Sequence, residues 1–156
     1  LVLVAATVDD ASDSAAAQDE ECARWFDWPR RPTEEQCRAY LIQVSTDPDP
    51  DNYSWAMRAR EVFARGIDLK LNGGAWNVSN FVSPHQRSQG IARRALRLVV
   101  DWGFACLGLS EISTRVHVEN VASQKMLEAT GFIKAHLEHN AEAAHADFVY
   151  LLRCPG

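Results

Sequence analysis

The segment that most restricts what this chain can fold into is Phe81-Val82-Ser83-Pro84-His85-Gln86-Arg87-Ser88-Gln89-Gly90-Ile91-Ala92, with the apolar spacing that follows it. Pro84 has no N–H to give to a sheet ladder, so a strand reaching it ends at about Ser83. From there Ile91, Ala95, Leu98, Val99 and Trp102 fall at helical spacing. A strand therefore hands over to a helix through a polar turn containing one glycine and one arginine. The first turn of any helix carries unpaired N–H groups and a partial positive charge. Gly90, lacking a Cβ, lets a ligand approach the backbone, and Arg87 offers a planar fork of donors. Such a turn suits a phosphate or pyrophosphate. An ordinary strand-to-helix turn with a surface arginine fits the same residues, so this segment alone does not decide. The absence of Gly-Lys-Ser/Thr excludes a Walker turn, and a lone glycine excludes a dinucleotide fingerprint.

The remaining elements read in order as follows. Leu1 to Thr7 is an entry strand. From about Asp9 the composition turns helical through Ala15, Cys22 and Phe26, with Asp9 and Asp10 as caps. Pro29 and Pro32 bracket a break, and Thr33-Glu34-Glu35-Gln36 is a capping box opening a helix that runs to about Val44. Asp47 to Asn52 is an acidic, proline-stiffened loop. Three strands follow, at about Tyr53 to Ala64, Ile67 to Leu71 and Ala75 to Val82. Hairpin turns at Arg65-Gly66 and Asn72-Gly73-Gly74 separate them. The helix after Gly90 ends near Cys106, with Gly108 beyond it. Glu111 to Val118 alternates, placing Ile112, Thr114, Val116 and Val118 on one face and Ser113, Arg115, His117 and Glu119 on the other. Strand, crossover helix and strand predict a right-handed parallel unit. A short helix capped by Asn120 and stopped by Gly131 comes next, then an antiparallel pair at Ile133 to Glu138 and Phe148 to Leu152.

Arg87-x-x-Gly90-x-Ala92 resembles the acetyl-CoA pyrophosphate loop of the GNAT N-acetyltransferase family. Asn120-x-x-Ser123, followed by Gly131-Phe132, resembles the Asn-x-x-Ser…Gly-Phe ending of that family. Arg24-Trp25-Phe26-Asp27-Trp28 and Asp147-Phe148-Val149-Tyr150 match further stretches, so the likeness runs along nearly the whole chain. The serine is most similar to the branch of ribosomal-protein N-terminal acetyltransferases. The resemblance implies an α+β architecture, the GNAT acyl-CoA N-acyltransferase fold. That fold has a mixed, mostly antiparallel central sheet with a splayed parallel pair and helices on both faces, here as a single domain over residues 1–156. It implies acetyl-CoA as co-substrate and an amine acceptor, either a peptide N-terminus or a small molecule. It also implies roles for particular residues. Backbone groups near Phe81 and Val82 would pair with the pantetheine amides. Arg87 and the N–H groups of Ser88, Gln89, Gly90, Ile91 and Ala92 would hold the pyrophosphate. Asn120 would reach the pantetheine arm, and Ser123 would lie near the thioester sulfur and protonate the leaving thiolate. A helix N-terminal hydroxyl bonding its own backbone is the alternative for Ser123.

The chain departs from the family twice. Many relatives carry a tyrosine acid four residues after this serine, and here Leu127 stands there. Many carry a glutamate on the central strand, and Trp76 to Asn80 has no carboxylate. An α-amine, with a pKa near ~8, is roughly a tenth neutral near pH 7, whereas a lysine near ~10.4 offers well under ~0.1%. An enzyme without a strong base should therefore prefer an α-amine or another weakly basic nitrogen. The remaining base candidates are His117 and Glu119, although a partly buried strand histidine is the more ordinary account of His117. These departures also fit a non-catalytic acyl-CoA-binding sensor or interaction module with the same fold.

Composition sets the outer bounds. A formal charge of -5 disfavours nucleic acid as a partner. No apolar run is long enough for a membrane span. Leu1 to Val4 is too short for a signal peptide, and a start without Met is expected of a segment from a longer protein. Cys22, Cys37, Cys106 and Cys154 lack metal spacing and read as reduced, mostly buried thiols of a cytoplasmic protein. His85, His136, His139 and His145 form no metal set, and His136-x-x-His139 is expected to be solvent-exposed. No metal is expected, and a monomer or homodimer fits equally.

Overall fold

A computed structural model describes residues 1–82, 90–139 and 145–156. Its strands are β1 (Val2–Ala5), β2 (Asn52–Ala59), β3 (Val62–Asn72), β4 (Ala75–Val82), β5 (Glu111–His117), β6 (Ile133–His139) and β7 (Ala146–Arg153). Its helices are α1 (Ala11–Ala17), α2 (Glu20–Trp25), α3 (Glu34–Thr46), α4 (Ile91–Cys106) and α5 (Val121–Thr130). The strands form one sheet in the order β1-β2-β3-β4-β5-β7-β6. Among the described residues only the β4–β5 neighbours run parallel; every other pair is antiparallel. The expected α+β architecture is present.

Alternation sorts the sheet residues onto two faces. Met57, Ile67, Leu69, Val78, Ile112 and Val116 turn to one side and are all buried. There α4 covers them with Ile91, Ala95, Leu96, Val99, Val100 and Gly103. Its buried face is rotated slightly from the expected one, because Leu98 is exposed while Leu96 and Val100 are buried. Gly103 sets how closely the helix lies. A Cβ there would stand 3.1 Å from Ile112 Cδ1 and 3.2 Å from Leu69 Cδ2. Each fully buried Leu, Ile or Val of this cluster contributes at most about 1.5–3 kcal/mol. The opposite face carries α1 and α3, with Tyr40 hydroxyl and Ser54 Oγ 2.8 Å apart.

Two boundaries differ from expectation. The first hairpin turns at Arg60-Glu61, not at Arg65-Gly66. Ala59 pairs with Val62, and Arg60 and Glu61 have φ of 51° and 66°. Both central residues are thus left-handed, the geometry that suits a two-residue hairpin to sheet twist. Neither residue is the usual Gly or Asn, so the turn leaves no compositional mark. Gly66 instead sits inside β3, opposite Ala56 and Phe81. The N-terminal helix is broken in two, because the Asp19 side chain accepts the Cys22 N–H at 3.1 Å and starts α2 afresh. A one-turn 3-10 helix, Val8–Asp10, precedes α1; Asp10 closes the start of that turn by accepting the Thr7 N–H at 2.9 Å and makes no side-chain cap bond to α1. The Thr33–Gln36 capping box forms as expected. All four cysteines are free, but only Cys22 and Cys37 are buried; Cys106 ends α4, Cys154 follows β7, and both are exposed. Among the described residues no helix is long and apolar enough to cross a membrane.

Candidate functional site

The parallel pair opens soon after it forms. Asn77 and Ser113 are the register partners, and side chains extend the seam by one step. Ser113 Oγ donates to Asn77 Oδ1 at 2.7 Å, and buried Thr114 Oγ1 donates to the Val78 carbonyl at 2.8 Å. Beyond that point β4 follows β3 to the Arg65–Val82 pair, while β5 follows β7 to the His117–Asp147 pair. Each strand continues with its other neighbour, and a cavity of about 780 Å³ occupies the gap. Its size falls in the range of small-molecule sites.

One wall is the start of α4. Gly90 is its N-cap, left-handed at φ 70°, and no side chain caps the helix. A Cβ at Gly90 would meet no atom within 4 Å. Ile91, Ala92 and Arg93 also line this end. Arg93 was not singled out from the sequence, because the motif stops at Ala92. It is exposed and adds a cation where a helix start already favours anions.

The opposite wall is the end of β5 and the start of α5. Asn120 caps α5 by accepting the Ser123 N–H at 3.2 Å, so its Nδ2 is the donor left for a ligand. Ser123 lines the cavity. Buried Gln124 donates Nε2 to the carbonyls of His117 and Val118, at 3.2 and 2.9 Å, and so finishes the strand end. Tyr150, wholly buried on β7, donates its hydroxyl to Glu128 at 2.9 Å and ties α5 to the sheet.

Aromatic and ionisable groups gather at the third side. The His117 ring stacks on His145 at 4.2 Å and meets Trp25 edge-on at 5.3 Å. His145 stands between Asp27, at 3.5 Å, and Asp147, at 3.3 Å. His117 Nδ1 accepts the Glu119 N–H at 3.0 Å. A neutral ring bonded in this way carries its proton on Nε2 and presents a donor to the cavity. Glu119 lies past the end of β5 and pairs with Arg24 at 3.6 Å, with both side chains well exposed.

The structure thus brings Gly90, Ile91, Ala92, His117, Asn120 and Ser123 to one cavity, and Glu119 is not among its lining residues. Phe81 and Val82 end β4 beside it as backbone. Arg87, Ser88 and Gln89 lie outside the described residues. His145, Asp27 and Asp147 were not identified as site residues. The β5–β7 register sets Asp147 opposite His117, and no local sequence signal announces that pairing.

A second, smaller cavity of about 260 Å³ adjoins the first, on the face covered by α1 and α3. It contains Asp68 of β3, whose carboxyl burial pushes up, with the Ser54 hydrogen bond and the Lys70 charge acting against that shift.

A family profile described as the acetyltransferase (GNAT) domain matches residues 1–133. No curated protein sequence matches the chain. Among solved structures, spermidine N-acetyltransferase from Vibrio cholerae, in complex with CoA and spermine, superposes with a TM-score of 0.82 at 14% identity, over 97% of this chain and 94% of that one. The ribosomal-protein-S5-alanine acetyltransferase from Vibrio fischeri gives 0.80 at 19% identity, over 97% and 91%. A ribosomal-protein alpha-N-acetyltransferase in complex with coenzyme A gives 0.81 at 14%, over 97% and 92%. At these identities the likeness is one of fold, and it extends equally to polyamine and ribosomal-protein acetyltransferases.

Proposed function

The chain belongs to the GNAT acetyltransferase family, and on that premise we propose that it moves the acetyl group of acetyl-CoA to a primary amine by direct attack in the β4–β5 cleft. The observation that carries this is the pairing of an uncapped, left-handed glycine helix start on one lip with Asn120 and Ser123 on the other. The N–H groups of Ile91 and Ala92, with Arg93, suit the diphosphate. Arg87, Ser88 and Gln89 precede that helix in the chain and complete the proposed phosphate loop. The β4 backbone at Phe81 and Val82 has no β5 register partner among the described residues and suits pairing with the pantetheine amides.

The chemistry asks little of the residues. A neutral amine attacks the thioester carbonyl, the C–S bond breaks, and the thiolate takes up a proton. Ser123 is the proposed donor to that sulfur. His117, with Nδ1 engaged by the Glu119 N–H, is better suited to donate to the carbonyl oxygen than to act as a base. Glu119, drawn to Arg24, is the weaker of the two base candidates.

A CoA-release assay against α-amino peptides, lysine peptides, polyamines and small monoamines tests the proposal, with calorimetry of CoA binding alongside. Micromolar or tighter CoA binding with transfer to one of these amines is the expected result. No CoA binding at saturating concentration would overturn it. Binding without transfer to any amine would instead support a non-catalytic acyl-CoA-binding module.

A further inference from the structure

Phe26, Lys70 and Ser79 line both cavities, so the two meet at a shared partition. The floor of the smaller one is a row across three strands. Ser54 of β2 pairs with Asp68 of β3, and Asp68 pairs with Ser79 of β4. Directly paired residues project to the same face, so the row leads from beneath α3 towards the point where β4 leaves β5. Aromatic rings stand in its walls. Phe26 and Trp28 stack with centroids 4.9 Å apart, and Tyr40 and Phe63 also line it.

The ionisable groups facing this chamber are few. Asp10 is held by Arg58. Burial pushes the Cys37 thiol up and keeps it neutral. Tyr40 shares its hydroxyl hydrogen bond with Ser54. Lys70, exposed on a flexible stem over the Tyr40 ring at 5.8 Å, balances the charge of Asp68 and is free to swing aside. Among the described residues Asp68 is thus the carboxylate of the chamber without an ion-pair partner fixed in place. A carboxylate among aromatic walls is a poor surface residue and a good receptor for a cation that brings its own apolar body.

We propose that Asp68 binds the ammonium group of the acceptor and takes its proton, and that the smaller cavity selects a compact primary amine on an apolar or aromatic body. This rests on the acetyl-transfer function proposed above. The ammonium pairs with Asp68 and passes one proton to it, leaving a neutral amine and a neutral carboxylic acid. The amine nitrogen forms its bond to the thioester carbon past Ser79 as the C–S bond breaks. The second nitrogen proton passes to Ser123 as that hydroxyl gives its own to the departing thiolate, and Asp68 returns its proton to solvent. A volume of about 260 Å³ holds roughly nine water-sized groups. A long polycation or a peptide segment would protrude from it.

The test uses the full chain with acetyl-CoA and phenethylamine as probe acceptor, against spermidine and an alanine-initiated peptide. Phenethylamine is expected to have the highest kcat/KM of the three. Asp68→Asn is expected to lower that value by about 100-fold or more, while CoA affinity stays within about twofold. Its Tm at pH 8 is expected to be no lower than that of the parent, because a carboxyl pushed up by burial costs the fold stability once it ionises. Should Asp68→Asn fail to fold, competition in the parent enzyme gives the answer. Phenethylamine should then outbind 2-phenylethanol by about tenfold or more. A variant within threefold of the parent, equal binding of amine and alcohol, or preference for spermidine or the peptide would each overturn the assignment. Those outcomes leave CoA binding intact, whereas failure of the family-based function would remove CoA binding or all transfer.

Discussion

Replacing Tyr150 by Phe probes the tie that holds the helix bearing Asn120 and Ser123. The Tyr150 ring is wholly buried, and its hydroxyl donates to Glu128 of α5 at 2.9 Å. Burial, and then the hydrogen bond and charge of Glu128, push the phenol from its usual 10.0 up to about 12. A hydrogen bond to a charged group contributes about 1.5–3 kcal/mol. Glu128 is exposed, so the lower end applies, and Tyr150→Phe should cost about 1.5 kcal/mol at pH 7. For a chain of this size that is a fall in Tm of about 3–6 °C. The pH dependence carries the sharper signature. The folded value lies above the unfolded one, so the phenol's contribution is complete below pH 10 and is lost as pH rises through about 12. At about 1.36 kcal/mol per unit the loss amounts to about 2.7 kcal/mol, more than the variant loses at neutral pH. Urea unfolding of both proteins from pH 7 to 12.5 should therefore give stability curves that cross between pH 10 and 12. Curves that stay parallel through that window would refute the reasoning, since Tyr150 would then ionise alike in the folded and unfolded chains.

Gly90→Val places a β-branched residue at φ 70° and a side chain in the path of the phosphates; CoA affinity by calorimetry should fall by about tenfold or more, and an unchanged Kd would count against the phosphate site. Ser123→Ala should lower kcat by roughly 10- to 100-fold with the acetyl-CoA KM within threefold; an unchanged rate with a known acceptor would retire the proton-donor role. Thr114→Val keeps the shape but removes the buried hydroxyl that bridges to Val78 at 2.8 Å; urea unfolding should show a loss of about 1–2 kcal/mol, and a variant as stable as the parent would mean the seam is held without that bond.

The sequence alone determined the parts whose physics is local. The end of β4 at Val82, the start of α4 after Gly90, the Thr33 capping box, the Asn72–Gly74 hairpin and the Asn120 cap each follow from residues within a few positions of one another. Those elements, in order, were enough to place Gly90, Asn120 and Ser123 on the same strand–helix units of the fold. The Arg60-Glu61 turn escaped because it satisfies a two-residue hairpin geometry with side chains that rarely adopt it.

Tertiary structure alone decided what crosses the sheet. Asp68 sits fourteen residues from Ser54 and eleven from Ser79 in the chain, and only strand register sets the three in one row. The carboxylate that the proposal assigns to the amine lies one strand over, on β3, where alternation in a single strand cannot reveal it. The same holds for His145 and Asp147 beside His117, which the β5–β7 pairing brings together from thirty residues apart. Local chemistry is written in neighbouring residues, whereas a site assembled from several strands depends on registers that the whole hydrophobic pattern fixes at once.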